Sequence, residues 1–537
     1  MPRINFHDRV TLLNLIKLCG KEKKLWKVRR IHVDLLKRNL IRKDVYIATS
    51  LITTYAKCGA PEEAREVFEQ LGEPSVVSWN ALISGYAHSQ LGDEALKCFK
   101  YMQNVGVIPD VVTYICVLKA CGIIGSYEIA HEIEVEVRKK ELVHKHVKLG
   151  NALVDMYFKC GALEKAREVF DHLTVRDVVS WNVLITGYAQ HGLGDEALKC
   201  FRQMKDAKIF PDVVTYVCIL KACGTVGSLE VGQDIDVEVR KRGLLQKDVM
   251  LGTSLVDMYC KCGALEKAQE VFAHLPMWNV VTWSVLINGY VQHGLDHEAL
   301  KCFRKMEEVG TSPDEITYIC ILKACGSVGS LEIGEEIDAK VRKQGLLQKD
   351  IVLGTALVDM YSKCGALKKA GEVFEYLPVQ NVVSWSALIS GYAQLGQTNV
   401  VWNLYRRMRR EGVVPNFVTF TVMLNACSHA GLVKDGEKLF NEMCVVYDLT
   451  PSLEHYTCMI DLFGRAGHFD KAKALLEKVS HSGHLPLFLN ILGACKKWRN
   501  MKLARWLFEK LIELDENCAA AYVYMENIYA AAGMQME

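Results

Sequence analysis

A chain of 537 residues is too long to fold around one ordinary core, so several domains or a repeat array are expected. Hydrophobic residues make up 50% of the chain and only 11 residues are proline, which argues against a long disordered region. No apolar run approaches the roughly 20 residues that a membrane span needs. The formal net charge of +2 is lower than most nucleic-acid-binding proteins carry, although residues 1–44 hold 13 Lys or Arg against 4 Asp or Glu.

Internal repetition is the strongest signal in the sequence. Trp79, Trp181, Trp283 and Trp385 are spaced by 102 residues, and the K-C-G motifs share that spacing. In chain order the unit divides into pieces of 35, 36 and 31 residues. The pieces are 76–110, 111–146, 147–177, 178–212, 213–248, 249–279, 280–314, 315–350, 351–381 and 382–416.

Each piece is predicted to form two helices. In the 35-residue piece, Trp79, Leu82, Ile83, Tyr86 and Ala87 follow the spacing of one apolar helical stripe. A glycine-containing break and a second stripe follow. A single hairpin cannot bury both stripes, whereas stacked hairpins can, so the sequence predicts an all-α solenoid.

The 20 cysteines recur mainly at equivalent repeat positions, in K-C-G, K-A-C-G and L-K-C-F. Small buried thiols in a reducing compartment explain this pattern better than disulfides do. Because there is no C-x-x-C pair, zinc binding and redox chemistry are both disfavoured.

Three motifs recur in fixed order and length: T-Y-x-C-x-L-K-A-C-G, G-x-x-L-V-D-M-Y-x-K-C-G-A-L-x-K-A and V-V-S-W-N-x-L-I-x-G-Y-A. They resemble the L-type, S-type and P-type repeats of the plant PLS class of pentatricopeptide repeat proteins. The resemblance implies a right-handed superhelix of L, S and P repeats over residues 9–452. It also implies a last S-type repeat at 453–484, a first extension motif at 485–517 and a truncated second one at 518–537, without the deaminase-like domain of fuller family members.

The resemblance further implies that each repeat recognises about one base of single-stranded RNA through its fifth and last residues. An Asp carboxylate only accepts hydrogen bonds and suits the imino N–H of uracil or guanine, whereas Asn also donates and suits cytosine or adenine. In this family, Thr or Ser at the fifth position goes with purines and Asn with pyrimidines.

Applied here, the rule predicts the RNA 5′-(purine)UNUUNAGNAA-3′. U is assigned to Asn80 with Asp110, Asn151 with Asp177, and Asn182 with Asp212; A to Thr253 with Asn279, Thr355 with Asn381, and Ser386 with Asn416; G to Ser284 with Asp314; and an ambiguous purine to Thr49 with Ser75. Ile115, Val217 and Ile319 make the L-type repeats unspecific spacers. Near-identical repeats differ at the paired positions while their core positions stay the same. The other interpretation is that these residues are ordinary first-turn residues and helix caps.

Two further sets of residues are implied by the resemblance. Bases would pack against the second residue of each P-type repeat, which is Val77, Val179, Val281 and Val383, unless these valines belong to the core. Phosphates would contact the lysine of K-C-G, which is Lys57, Lys159, Lys261 and Lys363, unless these are solvated surface lysines.

The sequence favours a binding protein over an enzyme. It lacks the H-x-E and P-C-x-x-C motifs of nucleobase deaminases, and no cofactor, metal or membrane is predicted. The resemblance implies an organellar factor for C-to-U RNA editing, in a mitochondrion or a chloroplast, with a deaminase or accessory protein recruited through 485–537. A splicing or stability factor and a tetratricopeptide-like protein scaffold are the alternatives. Repeat-like sequence begins so early that no transit peptide is visible.

Overall fold

The computed structural model describes residues 9–479, 485–498, 500–515 and 518–531, and in this part of the chain the regular structure is entirely helical. It forms two units, 1–277 and 278–537. The first unit contains α1 (Arg9–Lys21), α2 (Leu25–Lys37), α3 (Leu40–Lys43), α4 (Val45–Lys57), α5 (Pro61–Glu69), α6 (Val76–His88), α7 (Gly92–Asn104), α8 (Val111–Ile124), α9 (Tyr127–Lys139), α10 (Leu142–Lys145), α11 (Val147–Lys159), α12 (Leu163–Asp171), α13 (Val178–Gln190), α14 (Gly194–Asp206), α15 (Val213–Val226), α16 (Leu229–Lys241), α17 (Val249–Lys261) and α18 (Leu265–Ala273).

The second unit continues the same alternation of first and second helices. It contains α19 (Val280–Gln292), α20 (Asp296–Glu308), α21 (Glu315–Val328), α22 (Leu331–Lys343), a short 3₁₀ helix (Leu346–Gln348), α23 (Ile351–Lys363), α24 (Leu367–Tyr376), α25 (Val382–Gln394), α26 (Thr398–Arg410), α27 (Phe417–Ala430), α28 (Val433–Val445), α29 (Leu453–Arg465), α30 (Phe469–Val479), α31 (Leu485–Trp498), α32 (Met501–Leu514) and α33 (Ala519–Ala531).

Within each unit the hairpins stack in two layers. The first helix of a repeat packs against the first helices of its neighbours, as α6 does against α4 and α8. The second helix packs against its own partner and the next first helix, as α7 does against α6 and α8. Both apolar stripes of a hairpin are therefore buried only by stacking, which is the arrangement that the sequence predicts.

The core consists of the predicted stripes. Trp79, Ile83 and Tyr86 of α6 are buried, as are Phe99 and Met102 of α7. Glycines provide the sharp turns: Gly192 between α13 and α14 has φ of 73°, a left-handed conformation that costs residues with a Cβ more. No helix in the described ranges is both long enough and apolar enough to span a membrane.

All 20 cysteines are free thiols, and those of K-A-C-G lie in the core. The prediction of buried thiols is confirmed for Cys121, Cys223 and Cys325, whereas the K-C-G cysteines are only half-buried. Burial raises the pKa of five core thiols to about 12, namely those of Cys121, Cys223, Cys325, Cys427 and Cys495.

Because of these thiols, we expect the free energy of unfolding to fall in alkali. Because the pKa is raised by folding, the contribution of each thiol is fully present below its unfolded pKa of about 8.5 and is lost as the pH rises towards 12. The free energy of unfolding should fall by about 1.4 kcal/mol per pH unit for each such thiol. Urea titrations under reducing conditions at pH 8 and pH 10 measure this. Equal midpoints at the two pH values would contradict it.

Candidate nucleic-acid interface

The first helices present one common face in each unit. We call the residues at positions two, five, six and nine of the first helices the reading face. In the second unit a hollow on this face is lined by Ile319, Lys323, Val352, Thr355, Val383, Ser386 and Asn416. In the first unit a matching hollow is lined by Leu13, Lys17, Tyr46, Thr49, Ser75 and Val77. Both hollows contain fifth, last and second residues of consecutive repeats, so within each hollow the predicted reading residues of neighbouring repeats line one surface.

The last residue of each predicted repeat is the N-cap of the next first helix. Asp110 shows the geometry: its Oδ1 accepts from the Thr113 N–H at 2.8 Å and from the Thr113 hydroxyl at 2.9 Å. A side-chain oxygen likewise caps the following helix at Ser75, Asp177, Asp212, Asn279, Asp314, Asn381 and Asn416. The interpretation as helix caps is therefore correct for these residues.

Capping also orients these side chains for recognition. The backbone N–H donates to Oδ1, which leaves the second terminal atom of the side chain available to a ligand. That atom is Oδ2 in Asp212 and Nδ2 in Asn416. In the described part of the chain neither of these atoms has a hydrogen-bond partner within the protein. The same fixed position thus carries an acceptor in one repeat and a donor in another.

The structure brings several of the predicted pairs into direct contact. The amides of Asn80 and Asn182 donate from Nδ2 to Oδ1 of Asp110 and Asp212, at 3.0 Å in both cases. The Asn151 side chain lies close enough to the carboxylate of Asp177 to lower its pKa. The Ser284 hydroxyl lies 3.4 Å from Oδ1 of Asp314.

The remaining pairs that lie within one unit are joined indirectly or not at all. Thr49 and Ser75 both contact the hydroxyl of Ser78, each at 3.0 Å. Ser386 reaches Thr419 at 2.8 Å, and Thr419 contacts Asn416 at 3.0 Å.

Thr355 donates to the carbonyl of Ile351 in its own helix and makes no hydrogen bond to Asn381. Thr253 and Asn279 belong to different units, where Thr253 donates to the Val249 carbonyl and Asn279 caps α19.

The fifth residues are more buried than a base-contacting residue needs to be. Asn80 and Asn182 are each 7% exposed and Ser386 is 4% exposed. The capping residues Asp110 and Asp212 are exposed. The fifth residue therefore acts on the last one, by holding its carboxylate, as much as on any molecule in the groove.

Three of the capping carboxylates, those of Asp110, Asp177 and Asp212, are held in their ionised form. Partial burial raises the pKa of Asp110, but the hydrogen bonds from Thr113 and Asn80 outweigh it, so the pKa lies below its usual value. The pKa of Asp212 is lowered against the same burial by Thr215 and Asn182. The pKa of Asp177 is lowered in the same way by Ser180 and Asn151. At neutral pH these groups are acceptors only.

The valines at the second position do not belong to the core. Val77 is 63% exposed, and Val179, Val281 and Val383 are more than half exposed. The alternative of core packing is therefore wrong. Sequence reasoning missed that this exposed apolar row continues in the other repeat types, at Tyr46, Val112, Val214, Met250, Ile316, Val352 and Val418. A comparison of the second residue of every repeat in the sequence would have shown this row.

Three of the four predicted phosphate lysines already have a carboxylate partner. Nζ of Lys159 lies 2.6 Å from Asp155, and those of Lys261 and Lys363 lie 2.7 Å from Asp257 and Asp359, each one turn earlier in the same helix. Lys57 is exposed, and among the described residues no carboxylate pairs with it. The four lysines are thus not equivalent.

A stack of helical hairpins with a row of capping side chains along its first helices defines a helical-repeat protein. The family described as the PPR repeat family matches residues 74–122, 176–225, 278–327 and 380–429. The PPR repeat matches 151–178, 253–280, 418–445 and 454–484, and the pentatricopeptide repeat domain matches 32–88.

Known proteins from plants are similar over almost the whole chain. A mitochondrial pentatricopeptide repeat-containing protein of Arabidopsis thaliana, At2g03380, is 33% identical over 98% of this chain and 76% of its own length. The chloroplastic protein At1g11290 of the same plant is 34% identical over 97% of this chain, which spans 64% of that relative's length. The chain belongs to the pentatricopeptide repeat family, and its relatives are of the plant type.

A solved structure shows the same fold. The crystal structure of the pentatricopeptide repeat protein PPR10 from maize matches with a TM-score of 0.58 at 18% identity, covering 98% of this chain and 87% of that one. The predicted all-α solenoid of pentatricopeptide repeats is thereby confirmed.

Proposed function

We propose that this protein binds single-stranded RNA in a sequence-specific manner and serves as a site-recognition factor for C-to-U RNA editing in a plant organelle. The observation that carries the proposal is the row of capping side chains on the reading face. Repeats that are almost identical in their core vary between Asp and Asn at this one oriented position. A purely structural cap has no need of the difference, since both residues cap equally well.

The geometry supports recognition of bases by hydrogen bonding. A capped Asp offers an oxygen to the imino N–H of uracil or guanine, and a capped Asn offers an N–H to adenine or cytosine. The exposed second-position side chains offer apolar surface on which bases can stack or pack, since every base has an apolar face. The proposed RNA is 5′-(purine)UNUUNAGNAA-3′, with one base per repeat.

Phosphate contacts would supply affinity without sequence choice. Lys57 can make such a contact directly. Lys159, Lys261 and Lys363 would have to exchange an aspartate for a phosphate, and exposed ion pairs of this kind contribute only about 0–1 kcal/mol. We assign all four to the RNA backbone, with Lys57 the strongest.

The role in editing rests on the repeat types. The L, S and P order over 9–452, the last S-type repeat at 453–484 and the extension motifs at 485–517 and 518–537 are those of editing factors in the resemblance described above. In this proposal the protein supplies the address, and a deaminase or accessory protein joins through 485–537. The chloroplastic and mitochondrial names of the relatives support an organellar location.

Loss of the protein in a plant that makes it tests the role. Sequencing of all organellar transcripts should show one or a few cytidines, downstream of a match to the proposed RNA, that are no longer converted to U. Normal editing together with unspliced or shortened transcripts would replace editing by a role in splicing or stability. Unchanged transcripts would contradict both.

A further inference from the structure

The L-type repeats have a polar feature that base recognition does not use. In the four L-type repeats that begin at residues 9, 111, 213 and 315, the fifth residues, Leu13, Ile115, Val217 and Ile319, cannot hydrogen-bond to a base, whereas the L-type repeat 417–452 has Thr421 there. One turn further along the same first helix, each of these four repeats has a lysine at position nine. These lysines are Lys17, Lys119, Lys221 and Lys323, and their spacing is 102 residues throughout.

The ninth position lies on the reading face. Residues five and nine are one helical turn apart and point to the same side. Lys323 lines the hollow of the second unit with Thr355 and Val383. Lys17 lines the hollow of the first unit with Tyr46 and Thr49. All four lysines are exposed. Their ammonium groups therefore lie beside the side chains that would hold bases.

These lysines also keep their charge available. In the described ranges none of the four forms an ion pair with a carboxylate. The polar contact of Lys119 is to an imidazole nitrogen, Nε2 of His88 at 3.2 Å. This contrasts with Lys159, whose charge is balanced by Asp155 at 2.6 Å. Each of these four repeats thus has, on its reading face, an ammonium group that no carboxylate of the described residues balances, as Lys57 has in an S-type repeat.

We propose that the L-type repeats bind the RNA phosphates through Lys17, Lys119, Lys221 and Lys323. The inference rests on the proposed RNA-binding function and adds a second set of phosphate contacts to it. S-type and P-type repeats choose bases, and these four L-type repeats each add one ammonium group to the phosphate contacts assigned to the K-C-G lysines. Since one repeat meets about one nucleotide, these four lysines hold a phosphate at every third nucleotide. Such contacts add affinity and salt dependence equally for all sequences.

A matched pair of triple variants tests this assignment. The first is Lys119→Gln with Lys221→Gln and Lys323→Gln, which removes three charges from the reading face and keeps most of each stem. The second is Lys139→Gln with Lys241→Gln and Lys343→Gln, which removes the same charge at the same spacing from exposed positions in the second helices α9, α16 and α22. RNA affinity is measured for both, and for the unchanged protein, at several salt concentrations with the proposed RNA and a scrambled RNA.

Each phosphate contact contributes about 0.7 to the slope of log affinity against log salt for single strands, so the reading-face triple should lower the slope by about 2. It should weaken the proposed and the scrambled RNA by the same factor. The control triple should change the slope by less than half as much. Equal slopes for the two triple variants would overturn the assignment, as would a reading-face triple whose slope equals that of the wild-type protein. The proposed function would still stand in that case if the wild-type protein preferred the proposed RNA to the scrambled RNA. Absence of RNA binding by the unchanged protein would overturn both.

Discussion

Replacing Asn182 by Thr and Asp212 by Asn should move the preference of the repeat 178–212 from U to A. The backbone N–H of Thr215 binds Oδ1 of residue 212 in either form, at 2.9 Å in the present chain, so the cap survives the change. What changes is the second terminal atom, from the acceptor Oδ2 to the donor Nδ2. Hydrogen bonds to a charged group contribute about 1.5–3 kcal/mol, so the preference should shift by roughly tenfold or more.

Competition binding with RNAs that differ only at this base measures the shift. A matched control is Asp248→Asn, because Asp248 caps α17 in the same way, accepting from the Leu251 N–H at 3.1 Å. It closes an L-type repeat whose fifth residue is Val217. The control should leave base preference unchanged. A double variant that still prefers U, or a control that shifts as far, would refute the base-reading pairs.

Replacing Trp385 by Ala should destabilise the second unit by about 3–5 kcal/mol, the usual cost of truncating a buried aromatic residue. Trp385 is fully buried, its ring centroid lies 4.6 Å from that of Phe374, and the Arg407 guanidinium lies 5.3 Å from its ring. A cavity there removes contacts from both layers of the stack. Urea unfolding followed by circular dichroism measures the loss.

Val383 in the same helix provides the control. It is 54% exposed, so Val383→Ala should change stability by no more than about 0.5 kcal/mol. It should nevertheless weaken RNA binding, by less than the roughly 1–3 kcal/mol that an aromatic stacking partner contributes. A large stability loss from Val383→Ala, or a negligible one from Trp385→Ala, would show that the two sides of α25 have been misassigned.

The positions of the hairpins could be predicted because the repeat itself carries the information. The spacing of 102 residues divides into pieces whose first residues, such as Val76, Val111 and Val147, are also the first residues of helices. The apolar stripe that contains Trp79 and Ile83 could come only from a helix that is buried on that side. Because the same pattern recurs in every repeat, helix boundaries that would be ambiguous in one repeat alone could be assigned.

The orientation of adjacent apolar residues could not be predicted from the same pattern. Val77 and Trp79 are two residues apart, and hydrophobicity alone does not say that the first is exposed and the second buried. The division depends on which side of the helix the neighbouring repeat covers. That is a property of the stack and not of the helix.

Only some of the ion pairs and hydrogen bonds could be predicted from the sequence. Asp155 and Lys159 are four residues apart on one helix, a spacing that favours an ion pair. The pairing of Asn80 with Asp110 at 3.0 Å spans 30 residues, and only the packing of α6 against α8 brings these two side chains together. Local charge pairs are thus visible in a sequence, whereas contacts between repeats need the structure.

A binding titration with two RNAs tests the central claim most directly. The purified protein is titrated into 5′-GUAUUAAGAAA-3′ and into an RNA in which the specified bases are scrambled, each at two salt concentrations. If several capping side chains each discriminate between bases by about 1 kcal/mol or more, the protein should bind the first RNA at least a hundredfold more tightly. This preference should be retained at the higher salt concentration. Equal affinity for the two RNAs, lost together as salt rises, would contradict the claim that the capping residues read bases.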